Sequence, residues 1–221
     1  MKFCPPCHRI PKKVLRFIGV LFVCFGILTA YMLQNYHSDL TKERQNKIRK
    51  HVENAHHLIV YYHHKFEINE LSEDRAKRYA LESIKQLTPD KSGYYWVMDT
   101  HPRMLMHPIT PDMDGKDLTD YVGPDGQKLF LEMVAVTRAD GAGFIHYLWA
   151  KPDTKDNKLY PKVSFIKMFA PWNWIVGSGV YVDDIETSFW NAVYVACGLS
   201  IAILMFVLAL AMTVFESLKK P

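Results

Sequence analysis

The chain has 221 residues, of which 49% are hydrophobic and 23% are charged. This composition excludes an intrinsically disordered protein, because disordered chains have too few apolar residues to bury a core. The net charge is +4, but the basic excess lies beside two apolar runs, and the segment between them is slightly acidic. A nucleic-acid-binding protein is therefore disfavoured, since its basic residues would lie in the folded domain.

The first apolar run covers residues 17–33 and contains no charge. It is long enough to cross a bilayer as a helix and longer than the apolar core of most signal peptides. No small-residue cleavage site follows Ala30, so we predict a transmembrane helix at 17–34 rather than a signal peptide. Residues 1–16 are basic and contain no acid, which predicts a cytoplasmic tail.

This tail contains the pattern C-x-x-C-H, formed by Cys4, Cys7 and His8. The pattern is typical of covalent c-type haem attachment, so a haem-bearing membrane anchor is one alternative function. Haem attachment takes place outside the cytoplasm, whereas the basic residues place the tail inside, and a metal site or reduced thiols are further alternatives. The segment between the apolar runs has no cysteine, which predicts a domain stable without disulfides.

A long helix is predicted after the first apolar run. Apolar residues recur there at alternating spacings of four and three, namely Ile48, Val52, Ala55, Ile59, Tyr62 and Phe66. Such a pattern gives a helix one apolar seam, which packs on the same chain or on a second copy. A homodimer through residues 48–66 is therefore one prediction. A second helix is predicted to begin after Ser72 as N-cap and to end near Leu87, ahead of Pro89.

Five strands are predicted in the next part of the chain. Aromatic and β-branched runs indicate them at 94–98, 104–106, 144–150, 163–169 and 174–182. A short helix at 129–136 and an acidic loop at 107–121 lie between the second and third strands; the acidic spacing does not match a calcium loop and indicates turn and capping roles. The fold class is α+β, with a long N-terminal helix and a five-stranded antiparallel sheet in an extracytoplasmic domain, 35–188.

The second apolar run covers residues 193–215, with Trp190 and Tyr194 at its outer edge. We predict a transmembrane helix at 190–215 and a cytoplasmic tail at 216–221. The basic flanks of both runs then place both termini in the cytoplasm and the domain outside an inner (plasma) membrane.

Three stretches together carry a resemblance to a known family. They are residues 93–108, 115–152 and 162–185, which include Gly93-Tyr94-Tyr95-Trp96-Val97-Met98-Asp99 and Trp174-Ile175-Val176-Gly177-Ser178-Gly179. In order and spacing they resemble the single-Cache, PAS-like sensor domains of bacterial methyl-accepting chemotaxis proteins and sensor histidine kinases. The resemblance implies a domain between two transmembrane helices. It also implies a pocket on one face of the sheet for a small organic acid.

The residue types present can meet the demands of such a pocket. A buried carboxylate needs a cation or several hydrogen-bond donors, and Lys162 and His107 are the candidates. Side chains two apart on a strand share a face. The full predicted site is Trp96, Met98, His107, Tyr147, Trp149, Lys162 and Ser164. The alternative is that the aromatic residues simply form the core.

The predicted function is that of a sensor for a short extracytoplasmic carboxylate, with the bilayer as its support and no cofactor. No output domain follows the second run, so we expect the signal to pass to a partner. An accessory subunit without a ligand is the first alternative, and the haem-bearing anchor is the second. No nucleophile–base pair or metal-hydrolase motif is visible, so an enzyme is not predicted.

Overall fold

A computed structural model describes residues 12–87, 93–152 and 158–217. The C-x-x-C-H motif, Pro89 and the outer parts of both predicted tails lie outside the described residues. The chain divides into two compact units, one formed by residues 41–191 and one by the segments on either side. The helices are α1 Lys12–Glu67, α2 Glu73–Gln86, α3 Leu129–Asp140 and α4 Val182–Ser217. The strands are β1 Tyr95–Asp99, β2 Met104–Met106, β3 Ala142–Ala150, β4 Leu159–Phe169 and β5 Trp174–Tyr181.

The five strands form one sheet in the order β2-β1-β5-β4-β3, and every neighbouring pair is antiparallel. The last strand of the sequence thus lies at the centre, between β1 and β4. The predicted α+β fold with a five-stranded antiparallel sheet and a long N-terminal helix is confirmed.

One face of the sheet is covered by α1 and α2. The seam residues Ile48, Val52, Ala55 and Ile59 are buried in a core that includes Ala80 and Ile84 of α2 and strand residues such as Val97 and Val176. The seam therefore packs on its own chain. A homodimer through residues 48–66 stays a prediction, and it would have to use side chains of α1 other than these four. Helix α2 follows Ser72, as predicted, although the serine side chain makes no capping hydrogen bond.

The opposite face is covered by α3 and the loop that precedes it. Leu129, Phe130 and Met133 of α3 pack in a second core with Trp96 and Ile166 of the sheet. Helix α3 is one turn longer than predicted and ends where Gly141 adopts the left-handed conformation, with φ of 74°. Glycine tolerates this conformation at no steric cost, which makes it a common residue just past a helix end.

The sheet connects to α4 without a linker, since β5 ends at Tyr181 and α4 begins at Val182. The predicted start of this helix, near residue 190, is therefore about two turns late. Within the described residues, Val182–Leu210 is long and apolar enough to cross a membrane, and none of its most apolar part is buried in the protein. The first predicted span, 17–34, is helical within α1; several of its side chains lie outside the described part, so the span stays a prediction.

Candidate ligand-binding site

The strand register brings the predicted site residues to one face of the sheet. Tyr147 of β3 pairs with Lys162 of β4, and Lys162 pairs with Tyr181 of β5. Residues paired across antiparallel strands point to the same side, so these three side chains form a row. Ser164 and Gly179 pair in the next row. This is the face covered by α3, as the burial of Tyr147 and Ile145 in the second core shows.

Two glycines of β5 leave space on this face. A Cβ atom on Gly177 would collide with the indole ring of Trp96, and one on Gly179 would collide with the hydroxyl of Ser164. The glycines thus allow a large aromatic ring and a hydroxyl to lie directly against the strand backbone. The Gly177-Ser178-Gly179 sequence is explained by this close packing.

A cavity of about 10 Å³ lies between this face and α3. A space of that size holds about one water molecule. Its walls are aromatic and thioether-rich and contain few polar groups. The lining residues are Trp96, Met104, His107, Leu129, Phe130, Met133, Tyr147 and Trp149.

Lys162 is a buried basic side chain, of which only 1% is exposed, and it pairs across the sheet with Tyr147, a wall of this cavity. Within the described residues, its Nζ has no hydrogen-bond partner. The atom lies 3.9 Å from the ring centroid of Tyr94 and 5.1 Å from that of Tyr181. Aromatic rings attract a cation but replace only part of its hydration. Burial accordingly lowers the pKa of Lys162 to about 7.

His107 is buried and acts as a neutral group. The Thr110 backbone N–H donates to its Nδ1 at 2.9 Å, and the Thr110 hydroxyl lies 2.7 Å from the same nitrogen. Burial, with a smaller contribution from the charge of Lys162, lowers the pKa of His107 to about 3. Since Nδ1 accepts a hydrogen bond, the single proton of the neutral ring is assigned to Nε2. His107 is therefore a hydrogen-bond donor at neutral pH and not the cation that the sequence also allowed.

The tyrosines on this face keep their hydroxyl protons. The Tyr147 hydroxyl lies 2.9 Å from that of Ser164, and burial raises the pKa of Tyr147. Burial also raises the pKa of Tyr94, whose ring centroid is 5.0 Å from that of His107. The Tyr181 hydroxyl donates to the Ala150 carbonyl at 2.6 Å. The face thus offers one ammonium group and several neutral donors.

Comparison with known proteins shows the family. The model of the Cache domain family matches residues 28–194. The chain belongs to the Cache domain family. This chain is 33% identical over 212 residues to the methyl-accepting chemotaxis protein McpP of Pseudomonas putida. The matched region covers 96% of this chain and 39% of McpP. The chain is also 34% identical over 113 residues to the sensor histidine kinase MctS of Rhizobium johnstonii, which covers 51% of this chain and 24% of the kinase.

Two solved structures resemble the Cache fold described above. A periplasmic sensor domain of a chemotaxis protein has 46% identity and a TM-score of 0.62, and the match covers 64% of this chain and 97% of that structure. A Cache chemosensory domain solved to explain carboxylic acid recognition has 36% identity and a TM-score of 0.62, with 66% and 98% covered. The predicted resemblance to Cache sensor domains of chemoreceptors and sensor kinases is therefore confirmed.

The seven predicted site residues of the Cache domain divide into two groups. Trp96, His107, Tyr147 and Trp149 line the cavity. Met98, Lys162 and Ser164 lie on the same side of the sheet but do not line it, and Met98 is fully buried in the core. The sequence prediction missed the cavity walls from β2 and α3, and it missed Tyr94 and Tyr181 beside Lys162. Tyr94 could have been predicted, because it is two residues before Trp96 and four before Met98 and therefore shares their face of the strand.

The acidic loop of the Cache domain has the predicted turn role, and its carboxylates also tie the loop to itself. The Asp114 carboxylate accepts the backbone N–H of His107 at 2.7 Å, and the Asp117 carboxylate accepts that of Thr119 at 2.9 Å. Across the described ranges, no group of three or more His, Cys, Asp or Glu residues is arranged to hold a metal ion.

Proposed function

We propose that this Cache domain senses a short monocarboxylate and that Lys162 supplies its counter-charge. The observation that carries the proposal is the buried ammonium group, which has no hydrogen-bond partner within the described residues. Burying a charge without a partner is costly, and a ligand carboxylate would form a charge-assisted hydrogen bond with it. In return, binding would raise the pKa of Lys162 from about 7 back toward its ordinary value.

The surrounding groups favour an acid with one charge and a short apolar tail. Among the described residues, the buried basic side chains of this site are Lys162 and His107. His107 is neutral, so Lys162 can supply one positive charge for one carboxylate. The Nε2–H of His107 and the hydroxyl of Tyr147 would donate to the second carboxylate oxygen. The rings of Trp96 and Trp149 and the side chains of Phe130 and Met133 would contact the tail.

The ligand must be small, because the cavity is only about 10 Å³. Even a two-carbon acid would require the walls to move apart, and the wall formed by α3 and the preceding loop is the one opposite the sheet. Binding would therefore select a more open form of the domain, and each additional methylene group of the ligand would demand further opening. The related Cache chemosensory domain, whose structure explains carboxylic acid recognition, supports this ligand class.

We further propose that the chain is the sensory part of a membrane receptor. Its domain would be held outside the cytoplasm of an inner membrane by spans at 17–34 and 190–215, with both termini inside. The relatives are a chemotaxis receptor and a sensor kinase, and the chain spans 39% and 24% of their lengths.

Calorimetry on the full chain in lipid nanodiscs tests the ligand proposal. Formate, acetate, propionate and butyrate are titrated into the wild type and into Lys162→Met, which keeps the length of the side chain but not its charge. We expect the wild type to bind and the affinity of the variant to be at least about 30-fold lower. A loss of this size corresponds to the free energy of one charge-assisted hydrogen bond at a buried site.

Lys167→Met is the matched control, since Lys167 is on the same strand but on the opposite face, which packs against α1. It should bind the acids like the wild type. Equal affinity in Lys162→Met and the wild type would sink the assignment of Lys162. Absence of binding by the wild type to any of the acids would favour the accessory subunit without a ligand.

A further inference from the structure

A charged cluster holds the junction between the sheet and α4. Tyr181 ends β5, and Asp183 and Asp184 lie in the first turn of α4. Lys151 follows the end of β3, and its Nζ lies 2.7 Å from Asp183 Oδ2 and 2.8 Å from Asp184 Oδ1. The two ion pairs thus tie the edge strand of the sheet to the start of the helix that contains the candidate membrane span.

The Tyr181 ring connects this cluster to the ligand pocket. The ring centroid lies 5.1 Å from the Nζ of Lys162 and 5.1 Å from the Nζ of Lys151. The Tyr181 hydroxyl donates to the carbonyl of Ala150, the residue before Lys151. Tyr181 is completely buried, so its ring has little space in which to move independently of these neighbours.

We propose that Lys151, Asp183 and Asp184, linked to the pocket through Tyr181, couple occupation of the site at Lys162 to the first turns of α4. This inference rests on the proposed function. A carboxylate bound to Lys162 would compete with the Tyr181 ring for the ammonium group and weaken that cation–π contact. Because the Tyr181 hydroxyl is bonded to Ala150, a shift of the ring changes the position of Lys151 relative to the two aspartates.

A coupling element requires two arrangements, and the chemistry of the cluster allows a second one besides the ion-paired arrangement observed. With the ion pairs formed, the aspartates bind Lys151. With the ion pairs broken, the same aspartates still interact favourably with the free N–H groups at the N-terminus of α4, which stabilise negative charge. The three side chains are partly exposed, with 16% for Lys151, 39% for Asp183 and 43% for Asp184, so released charges are solvated at low cost.

Hydrogen–deuterium exchange on the full chain in nanodiscs tests the coupling, with acetate and propionate as probes. Peptides covering residues 94–98 report on the pocket, and peptides covering 182–191 report on the start of α4. In the wild type we expect protection at the pocket and an exchange rate at 182–191 that changes about 5-fold or more, the lower end of typical coupling between sites. In Lys151→Met the pocket should still be protected, while the response at 182–191 should be lost.

Two further variants separate coupling from a general structural effect. Lys151→Arg keeps the charge and should retain the response. The Nζ atoms of Lys151 and Lys158 lie 4.9 Å and 5.3 Å from the ring centroid of Tyr160, but Lys158 makes no ion pair with the described residues of α4. Lys158→Met should therefore respond like the wild type. If Lys151→Met does not fold, the double variant Asp183→Asn with Asp184→Asn removes the same pairs from the other side.

The outcomes distinguish this inference from the proposed function. No pocket protection in the wild type with either acid would overturn the ligand proposal and the coupling with it. Pocket protection together with an undiminished response at 182–191 in Lys151→Met, or in the double aspartate variant, would overturn the coupling alone.

Discussion

The two faces of the central sheet are buried to a similar degree but by different kinds of residue. The face toward α1 and α2 is packed with aliphatic and aromatic groups, and Val52, Ile59, Val97 and Val176 are completely buried there. The face toward α3 buries Lys162, His107 and the bonded hydroxyls of Tyr147 and Ser164. One face has the composition of an ordinary core, whereas the other retains polar groups that are costly to bury.

The difference indicates a division of roles within one small domain. The α1–α2 face contributes hydrophobic stabilisation, because each fully buried aliphatic side chain stabilises the fold by about 1.5–3 kcal/mol. The α3 face contributes less, since the Lys162 ammonium group is buried there without a hydrogen-bond partner among the described residues, and this opposes folding. Natural proteins commonly break packing rules where they bind ligands, and the buried lysine and the buried neutral histidine of this domain both lie on the α3 face. Substitutions on the two faces should therefore separate stability from binding.

The largest effect is expected from the α1–α2 face. Ile59→Ala leaves a cavity among residues that are 0% exposed, and it should lower the free energy of unfolding by about 3 kcal/mol. Urea unfolding followed by tryptophan fluorescence measures the change. Val60→Ala, at a neighbouring position that is 41% exposed, should cost less than about 0.5 kcal/mol.

Carboxylate affinity is the second measurement on Ile59→Ala. The folded variant should bind acids like the wild type, because Ile59 contacts the other side of the sheet. A folded Ile59→Ala protein with strongly reduced affinity would contradict the separation of the two faces.

The next effect is a pH dependence that arises on the α3 face. Burial lowers the pKa of Lys162 from 10.5 to about 7, so between these values the unfolded chain binds a proton that the folded domain does not. The free energy of unfolding should therefore rise with pH in that window, by about 1 kcal/mol per pH unit. The destabilising effect of the charge is fully present below pH 7 and disappears as the pH approaches 10.5.

Comparison with Lys162→Met isolates this contribution. We expect urea unfolding at pH 7, 8 and 9 to show the rise in the wild type and a flatter profile in the variant. At pH 7 the variant should also be at least as stable as the wild type, because replacing a buried unpaired charge by an apolar group is favourable. Parallel pH profiles would show that Lys162 is solvated or paired in the folded protein.

Most of the fold was predictable because its elements carry strong local patterns. The 4-3 spacing from Ile48 to Phe66 predicted the packing stripe of α1, and β2 was predicted at 104–106, where it is observed. Local patterns do not settle features that depend on tertiary structure. The seam pattern is the same whether a helix packs on its own sheet or on a second copy, and only the fold shows that the sheet covers the seam.

The start of α4 was predicted too late, because Val180, Tyr181 and Val182 are typical of strands, whereas the acidic pair after them favours a helix N-terminus.

The candidate site was predictable within a strand but not between strands. Alternation placed Tyr147 with Trp149 and Lys162 with Ser164, and the register confirms that these four residues share a face. It could not show that Tyr181 pairs with Lys162, because strand register follows from the sheet topology. Phe130 and Met133 reach the cavity through the docking of α3, which no local pattern specifies.

The smallest effect comes from the hydrogen bond between two strand side chains on the α3 face. Tyr147→Phe removes the hydroxyl that lies 2.9 Å from the Ser164 hydroxyl, and Ser164→Ala removes the other partner. Each variant should lose about 1 kcal/mol of unfolding free energy, because each removes one hydroxyl and leaves the other buried without this hydrogen bond. The double variant should lose less than the sum of the two, because both single changes break the same bond. Additive losses in the urea-unfolding cycle would mean that the two hydroxyls act independently. The strands of the α3 face would then have no polar network of their own, and its difference from the α1–α2 face would reduce to Lys162 and His107.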